Sequence, residues 1–259
     1  IIVDGHTAFV GGINVSDKYV NNHEANKLYW GDTHLKITGA AVYYLQYLFI
    51  TDWNFCCGNK PFEADSNYFA EPPVKNNNCF VQIAAGGPDS PLPSILYSLL
   101  QAISLAQEEI LVTTPYFIPG DSIMDALCVS ALSGLKVKLL VPGISDSKLV
   151  NAASKSNYKK LLEAGVEVYL YQKGFVHAKT IVTDGKLSIV GTANMDHRSF
   201  ELNFEVNAVV YDAPFAQQLR NLFFDDLEDA TKIDKEAWLN RPLTQQLPEK
   251  IARLFSPVL

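Results

Sequence analysis

The sequence predicts an α/β protein made of two similar units, each a mainly parallel, mixed sheet flanked by helices, with the first unit incomplete. Short apolar runs alternate with longer amphipathic ones between residues 79 and 171, which is the rhythm of β-α-β units. A phrase from the first fourteen residues returns 180 positions later, the mark of an internal repeat. The hydrophobic content of 48% in 259 residues supplies sizeable cores.

From the N-terminus, "IIVDGHTAFVGGIN" carries a turn-forming Asp4-Gly5 between two apolar runs. Asp32, in "YWGDTHLKITG", leads into the next strand. The run "AAVYYLQYLFI" at 40–50 is too short to span a bilayer and holds Gln46 and three tyrosines, so a packed helix is expected. Residues 58–78, with Pro72-Pro73 and three consecutive asparagines, form the expected linker. It divides a first unit, 1–78, from a second, 79–259.

In the second unit "CFVQIAA", "EILVTTP", "KVKLLVP" and "VEVYLYQ" read as buried strands, with helices expected over 90–107, 121–134 and 146–165. Strands at 176–183 and 187–191 are joined through Asp184-Gly185. A further strand at 204–211, a helix at 214–230 and a short helical tail complete the chain. Within the repeat, Gly5, Val10, Gly11 and Asn14 recur as Gly185, Val190, Gly191 and Asn194, while Asp32 finds its counterpart in Glu205 after the register slips to 173.

The four cysteines, Cys56, Cys57, Cys79 and Cys128, show no metal-site spacing and read as buried thiols in a reducing compartment. A net charge of −7 opposes a life spent neutralising nucleic-acid phosphates, so no nucleic-acid partner is expected. The chain opens in mid-motif without methionine; upstream sequence, with any membrane anchor, is expected to precede it.

The chemistry concentrates in "GFVHAKTIVTDGKLSIVGTAN". Alternate strand residues share a face, so His177 and Lys179 point together. A histidine able to attack phosphorus or deliver a proton beside a fixed ammonium suits a phosphate ester. Asn194 offers an amide donor, and the small Gly191 and Thr192 admit the ester closely. Asp184 falls in the hairpin, where a turn-stabilising carboxylate is expected. Glu205 is therefore expected to hold the second nitrogen of the His177 ring, with Asp32 in the matching place of the first copy.

The string "HAKTIVTDGKLSIVGTAN" resembles the signature of the phospholipase D superfamily, whose site is built from two such motifs meeting at a pseudo-twofold axis. "TTPYFIPGDSIMDAL", "GTANMDHRSFELNFEVN" and "WLNRPLTQQLPEKIARLFSPVL" are similar to the cardiolipin synthase branch, and the resemblance covers nearly the whole chain. It implies a phospholipase D-like fold and phosphatidyl transfer between two phosphatidylglycerol molecules through a phosphohistidine, without cofactor or metal. His177, Lys179, Asp184, Glu205 and Asp32 are the implied catalytic set. Asn194, Asn14, Thr192, Thr114 and Tyr116 are the implied substrate-binding set, the last two at the pocket mouth. Implied partners are phosphatidylglycerol, other glycerophospholipids and the bacterial inner membrane surface. Since only the second copy of the motif carries its histidine and lysine, this chain is expected to be inactive alone. A hydrolase using water as acceptor, or a non-catalytic lipid-binding module, are the rival expectations.

Overall fold

The computed structural model describes residues 1–21, 28–58, 62–63, 65–71 and 79–256. The expected linker at 58–78 therefore lies partly outside the described residues. The first part holds β1 (Ile2–Val3), β2 (Thr7–Gly11), β3 (Tyr29–Gly31), β4 (His34–Thr38) and α1 (Ala41–Cys57). There follow β5 (Phe80–Gly86), α2 (Ser94–Leu105), β6 (Glu109–Thr113), β7 (Phe117–Ile118), α3 (Asp121–Leu132), β8 (Lys136–Pro142), α4 (Lys148–Ala164) and β9 (Glu167–Tyr171). The chain continues with β10 (Gly174–Val176), β11 (Thr180–Thr183), β12 (Leu187–Gly191), β13 (Met195–Asp196), α5 (His197–Glu201) and β14 (Glu205–Tyr211). It closes with α6 (Ala213–Glu228), β15 (Ala230–Lys232), α7 (Lys235–Leu239) and α8 (Leu243–Arg253).

Eight strands form one mixed sheet in the order β15-β9-β8-β6-β11-β12-β14-β5. The α/β class and the flanking helices agree with the sequence; the pairing corrects it. Only β6–β8 and β8–β9 are parallel in this sheet, and the other five pairs are antiparallel. The reason lies in the connections. Helices cross over between β6, β8 and β9, as parallel strands require, while β11 and β12 are joined by a three-residue loop that permits only antiparallel pairing.

Both faces of this sheet are buried, so adjacent strand residues enter different cores. Ile110 and Val112 of β6 pack with α2, α3 and α4, whereas Leu111 between them packs on the α6 side with Ala216, Leu219 and Phe223. Val209 and Ala208 of β14 divide likewise. On the α6 side the sheet is also covered by a three-stranded antiparallel sheet, β1-β2-β4, whose Ala8, Val10 and Ile37 close over Ala208 together with Val42 and Leu45 of α1. The expectation of four buried thiols is met at Cys128 alone: Cys56 and Cys57, on the last turn of α1, are exposed, and Cys79 is half-buried.

The repeat is visible in backbone and register. Asp4 and Gly5 have φ of 53° and 66°; Asp184 and Gly185 have 54° and 60°. Both central residues of each turn are thus left-handed, as a hairpin whose twist matches its strands demands. Ile2 pairs with Ala8 and Val3 with Thr7, just as Val182 pairs with Ser188 and Thr183 with Leu187. The next strands follow the slipped register: Gly11 opposes His34 and Gly191 opposes Asn207.

Candidate active site

The expected single strand at 176–183 is two strands interrupted at residues 177–179. Upstream, β10 leaves the main sheet and pairs in parallel with β3, Phe175 opposite Trp30 and Val176 opposite Gly31. Downstream, β11 enters the sheet between β6 and β12. His177 sits at the exchange, its backbone N–H donating to the Gly31 carbonyl at 2.6 Å. Gly174 is required here, because a Cβ on it would strike the Tyr29 carbonyl.

This parallel pair brings the first part of the chain to the histidine. Asp32, one residue beyond β3, places Oδ2 2.8 Å from His177 Nδ1, with side chains 2% and 13% exposed respectively. The same nitrogen lies 3.1 Å from the Tyr19 hydroxyl. Lys179 Nζ stands 3.0 Å from both ring nitrogens and donates to the His177 carbonyl at 2.6 Å. Burial pulls the Lys179 pKa down to about 8, against the pull of Asp32, Glu205 and Asp196. These three carboxylates are enough to keep a largely buried ammonium charged near neutrality.

The expected acid for His177 is therefore corrected. Glu205 accepts hydrogen bonds from the Thr192 hydroxyl, from Ser199 Oγ at 3.1 Å and from Asn203 Nδ2 at 3.2 Å, and His177 is held by Asp32. The first-copy acid serves the second-copy histidine. The cause is the excursion of β3 to β10, which carries Asp32 across the boundary between the copies, whereas Glu205 opens β14 inside its own sheet.

Asp184 behaves as its place in the hairpin implies. Its carboxylate accepts from the backbone N–H groups of Gln107, Glu108 and Glu109 at 2.8–2.9 Å. Burial alone would raise its pKa; these donors outweigh burial and hold it below the ordinary value.

The proposed phosphate-binding residues separate into two groups. Asn194 is aimed inward, with a buried Oδ1 that has no partner and a backbone N–H on Ser199 Oγ at 3.0 Å. Asn14 is exposed and bonds the Tyr19 hydroxyl at 3.3 Å, so it reaches His177 through that tyrosine. Thr192 is spent on Glu205 and Val206. Thr114 is 1% exposed and ties the motif loop to β6, donating to the Tyr116 carbonyl at 2.9 Å and accepting from the Met195 N–H at 3.2 Å; it does not line a mouth. Tyr116 bonds Asp146 at 2.8 Å, and burial followed by that bond raises its pKa. Its ring lies 6.1 Å from Phe175.

Three aromatic residues around the histidine escaped the reading of the sequence. Tyr19, Trp30 and Phe175 have ring centroids 5.8–5.9 Å from His177. A signal was present: Trp30 stands two residues before Asp32 and Phe175 two before His177, a spacing that shares a strand face. Asp196, buried and raised in pKa by that burial, was also missed; it caps α5 through the Ser199 N–H at 2.8 Å.

A general base or nucleophile fixed at one nitrogen and an ammonium beside it together suit a tetrahedral anion. Residues 99–227 match the family described as cardiolipin synthase, PLD-like domain. Along its whole length the chain is 44% identical to a cardiolipin synthase of Geobacillus kaustophilus and 42% identical to cardiolipin synthase 1 of Staphylococcus aureus. It spans about half of those relatives, 51% and 52% of their lengths. Among solved structures, phosphatidylserine synthase of Haemophilus influenzae superposes with a TM-score of 0.69 over 98% of this chain and 67% of its own, at 18% identity. The phospholipase D family member Nuc of Salmonella typhimurium gives 0.52 over 60% of this chain and 99% of its own, at 20% identity. These likenesses show the fold.

Proposed function

The chain belongs to the phospholipase D superfamily, and from that premise we propose that its site works in a phosphatidyltransferase of the cardiolipin synthase type, with residues 1–78 and 79–259 contributing to two related units. The pairing of Asp32 with His177 across the repeat carries this reading: a buried carboxylate fixes one imidazole nitrogen, and the other, beside the Lys179 ammonium, is the one turned to phosphorus. The substrates would be two phosphatidylglycerol molecules, which sets the work at a bacterial membrane surface. Among the described residues no helix is long and apolar enough to cross a membrane.

In the proposed reaction a histidine nitrogen attacks the phosphorus of the first lipid and its bond to the glycerol oxygen breaks, that oxygen taking a proton from a second histidine. The terminal hydroxyl of the second lipid then gives its proton to that same histidine, and its oxygen displaces the phosphohistidine nitrogen to form cardiolipin. Lys179 and Asn194 hold the phosphate oxygens, with Asn14 contributing from the first copy through Tyr19. By the symmetry of the repeat Glu205, already bonded to Ser199 and Asn203, is the acid for the counterpart histidine. Only the second copy of the motif carries its histidine and lysine, His177 and Lys179, and on this reading the chain binds phosphate without turnover by itself.

The test is His177→Ala in a protein bearing both motifs, with cardiolipin and glycerol measured as products. Expected is loss of both products with an unchanged melting temperature. Full activity, or release of phosphatidic acid with no cardiolipin from the unsubstituted protein, would overturn the proposal.

A further inference from the structure

Helix α8 presents its apolar stripe outward. The positions it buries are Glu249 and Ala252. Ala252 packs with Ile118 and Ala153, and Glu249 accepts both arms of Arg241 at 2.7 and 2.9 Å. Leu243, Leu247, Ile251, Leu254 and Phe255 are 73%, 57%, 51%, 79% and 49% exposed. At 100° per residue Leu243, Leu247 and Ile251 fall in one arc on the side away from Ala252, and Leu254 and Phe255 follow just past the end of the helix. A core-forming helix turns such an arc inward; here five large apolar side chains face solvent together.

The margin of this arc is basic. Lys250 and Arg253 share a groove with Lys155 of α4, and none of the three has a carboxylate partner among the described residues. In a chain of net charge −7, this local cationic surplus beside an apolar stripe is the pattern of a helix lying in a lipid interface, with lysine and arginine at the phosphates and leucines in the acyl boundary. The buried face of the same helix adjoins the site. Ile118, which packs on Ala252, is paired with Asp196, one of the carboxylates acting on Lys179, and Arg253 shares a cleft with Gly120 and His197.

We propose that α8 docks the protein on an anionic glycerophospholipid bilayer, the Leu243–Phe255 stripe entering the interface and Lys155, Lys250 and Arg253 meeting lipid phosphates. The choice of phosphatidylglycerol as the anionic lipid rests on the functional reading above; the docking itself does not need turnover.

The experiment is flotation of the 259-residue chain with phosphatidylcholine vesicles, with and without phosphatidylglycerol. Binding is expected with phosphatidylglycerol. Leu247→Asp with Ile251→Asp lowers it about tenfold or more, and Lys250→Gln or Arg253→Gln lowers it about fivefold for each charge removed, with melting curves unchanged. If the double variant melts early, Leu254→Ser at the exposed end of the helix carries the same test. Absence of flotation by the unsubstituted chain would overturn the proposal, as would variants that bind like it, which would shift the contact to another surface such as Tyr47, Trp53 and Phe55 of α1. A dimer on size exclusion that these substitutions dissociate, with vesicle binding unmoved, would make a second copy the occupant and also overturn it. Failure of His177-dependent chemistry with flotation intact leaves the docking surface standing.

Discussion

The hairpins at Asp184-Gly185 and Asp4-Gly5 share turn and register, yet Asp184 accepts three backbone N–H groups from the start of β6, while Asp4 is exposed and its carboxylate has no hydrogen-bond partner among the described residues. One hairpin is clasped inside an eight-stranded sheet and the other lies in a sheet of three. The shared Asp-Gly therefore serves conformation in both copies, and tertiary anchoring in one. A second contrast follows. The acids Asp32 and Glu205 occupy matching places in the repeat, but only Asp32 touches a histidine in this chain, and it touches the histidine of the other copy.

Exchange of the acids makes the largest prediction. In a protein with both motifs, Asp32→Asn is expected to lower turnover by about 10³–10⁴, the scale of losing the group that fixes a catalytic tautomer, with the His177 ring NMR signals shifted. Glu205→Gln is expected to leave those signals in place while lowering turnover through the counterpart histidine. Ring signals that move with Glu205 and not with Asp32 would break the comparison.

A medium effect separates the two turns. Asp184→Ala is expected to cost about 2–3 kcal/mol, since three backbone donors lose a charged acceptor, whereas Asp4→Ala costs less than about 0.5 kcal/mol. Urea midpoints of the two variants measure the difference. Because the Asp184 pKa is held below its ordinary 3.8, its contribution is fully present above that value and is lost as pH falls through the lower, folded-state value. Equal midpoints would mean that the turn alone explains the residue in both places.

The smallest effect concerns Lys179. With its pKa drawn from 10.5 to about 8, the folded chain gives up a proton that the unfolded chain keeps, so this group's contribution to stability rises between those pH values. Anion binding moves the opposite way, because it needs the ammonium. Tungstate affinity, followed by calorimetry, is expected to fall roughly tenfold between pH 7 and 9, and Lys179→Met removes that step. A flat profile in the unsubstituted chain would contradict the assignment of Lys179 to the anion.

Much of this was legible in residues 174–205, and the limits of that legibility are physical. The alternation of His177 and Lys179, the left-handed Asp-Gly turns and the β-α-β rhythm depend on φ, ψ and side-chain period over a few residues, so sequence by itself determined them, and the repeat followed from counting. What only the tertiary structure decided is contact at a distance: the Asp32–His177 bond joins residues 145 apart and exists because β3 pairs in parallel with β10. Such pairing has no local turn to announce it, and a reading confined to one copy assigned the histidine to Glu205. The outward stripe of α8 belongs to the same class. Its period was written in the sequence, but only packing against α4 and Ile118 showed which side was spent on the protein and which was left for another surface.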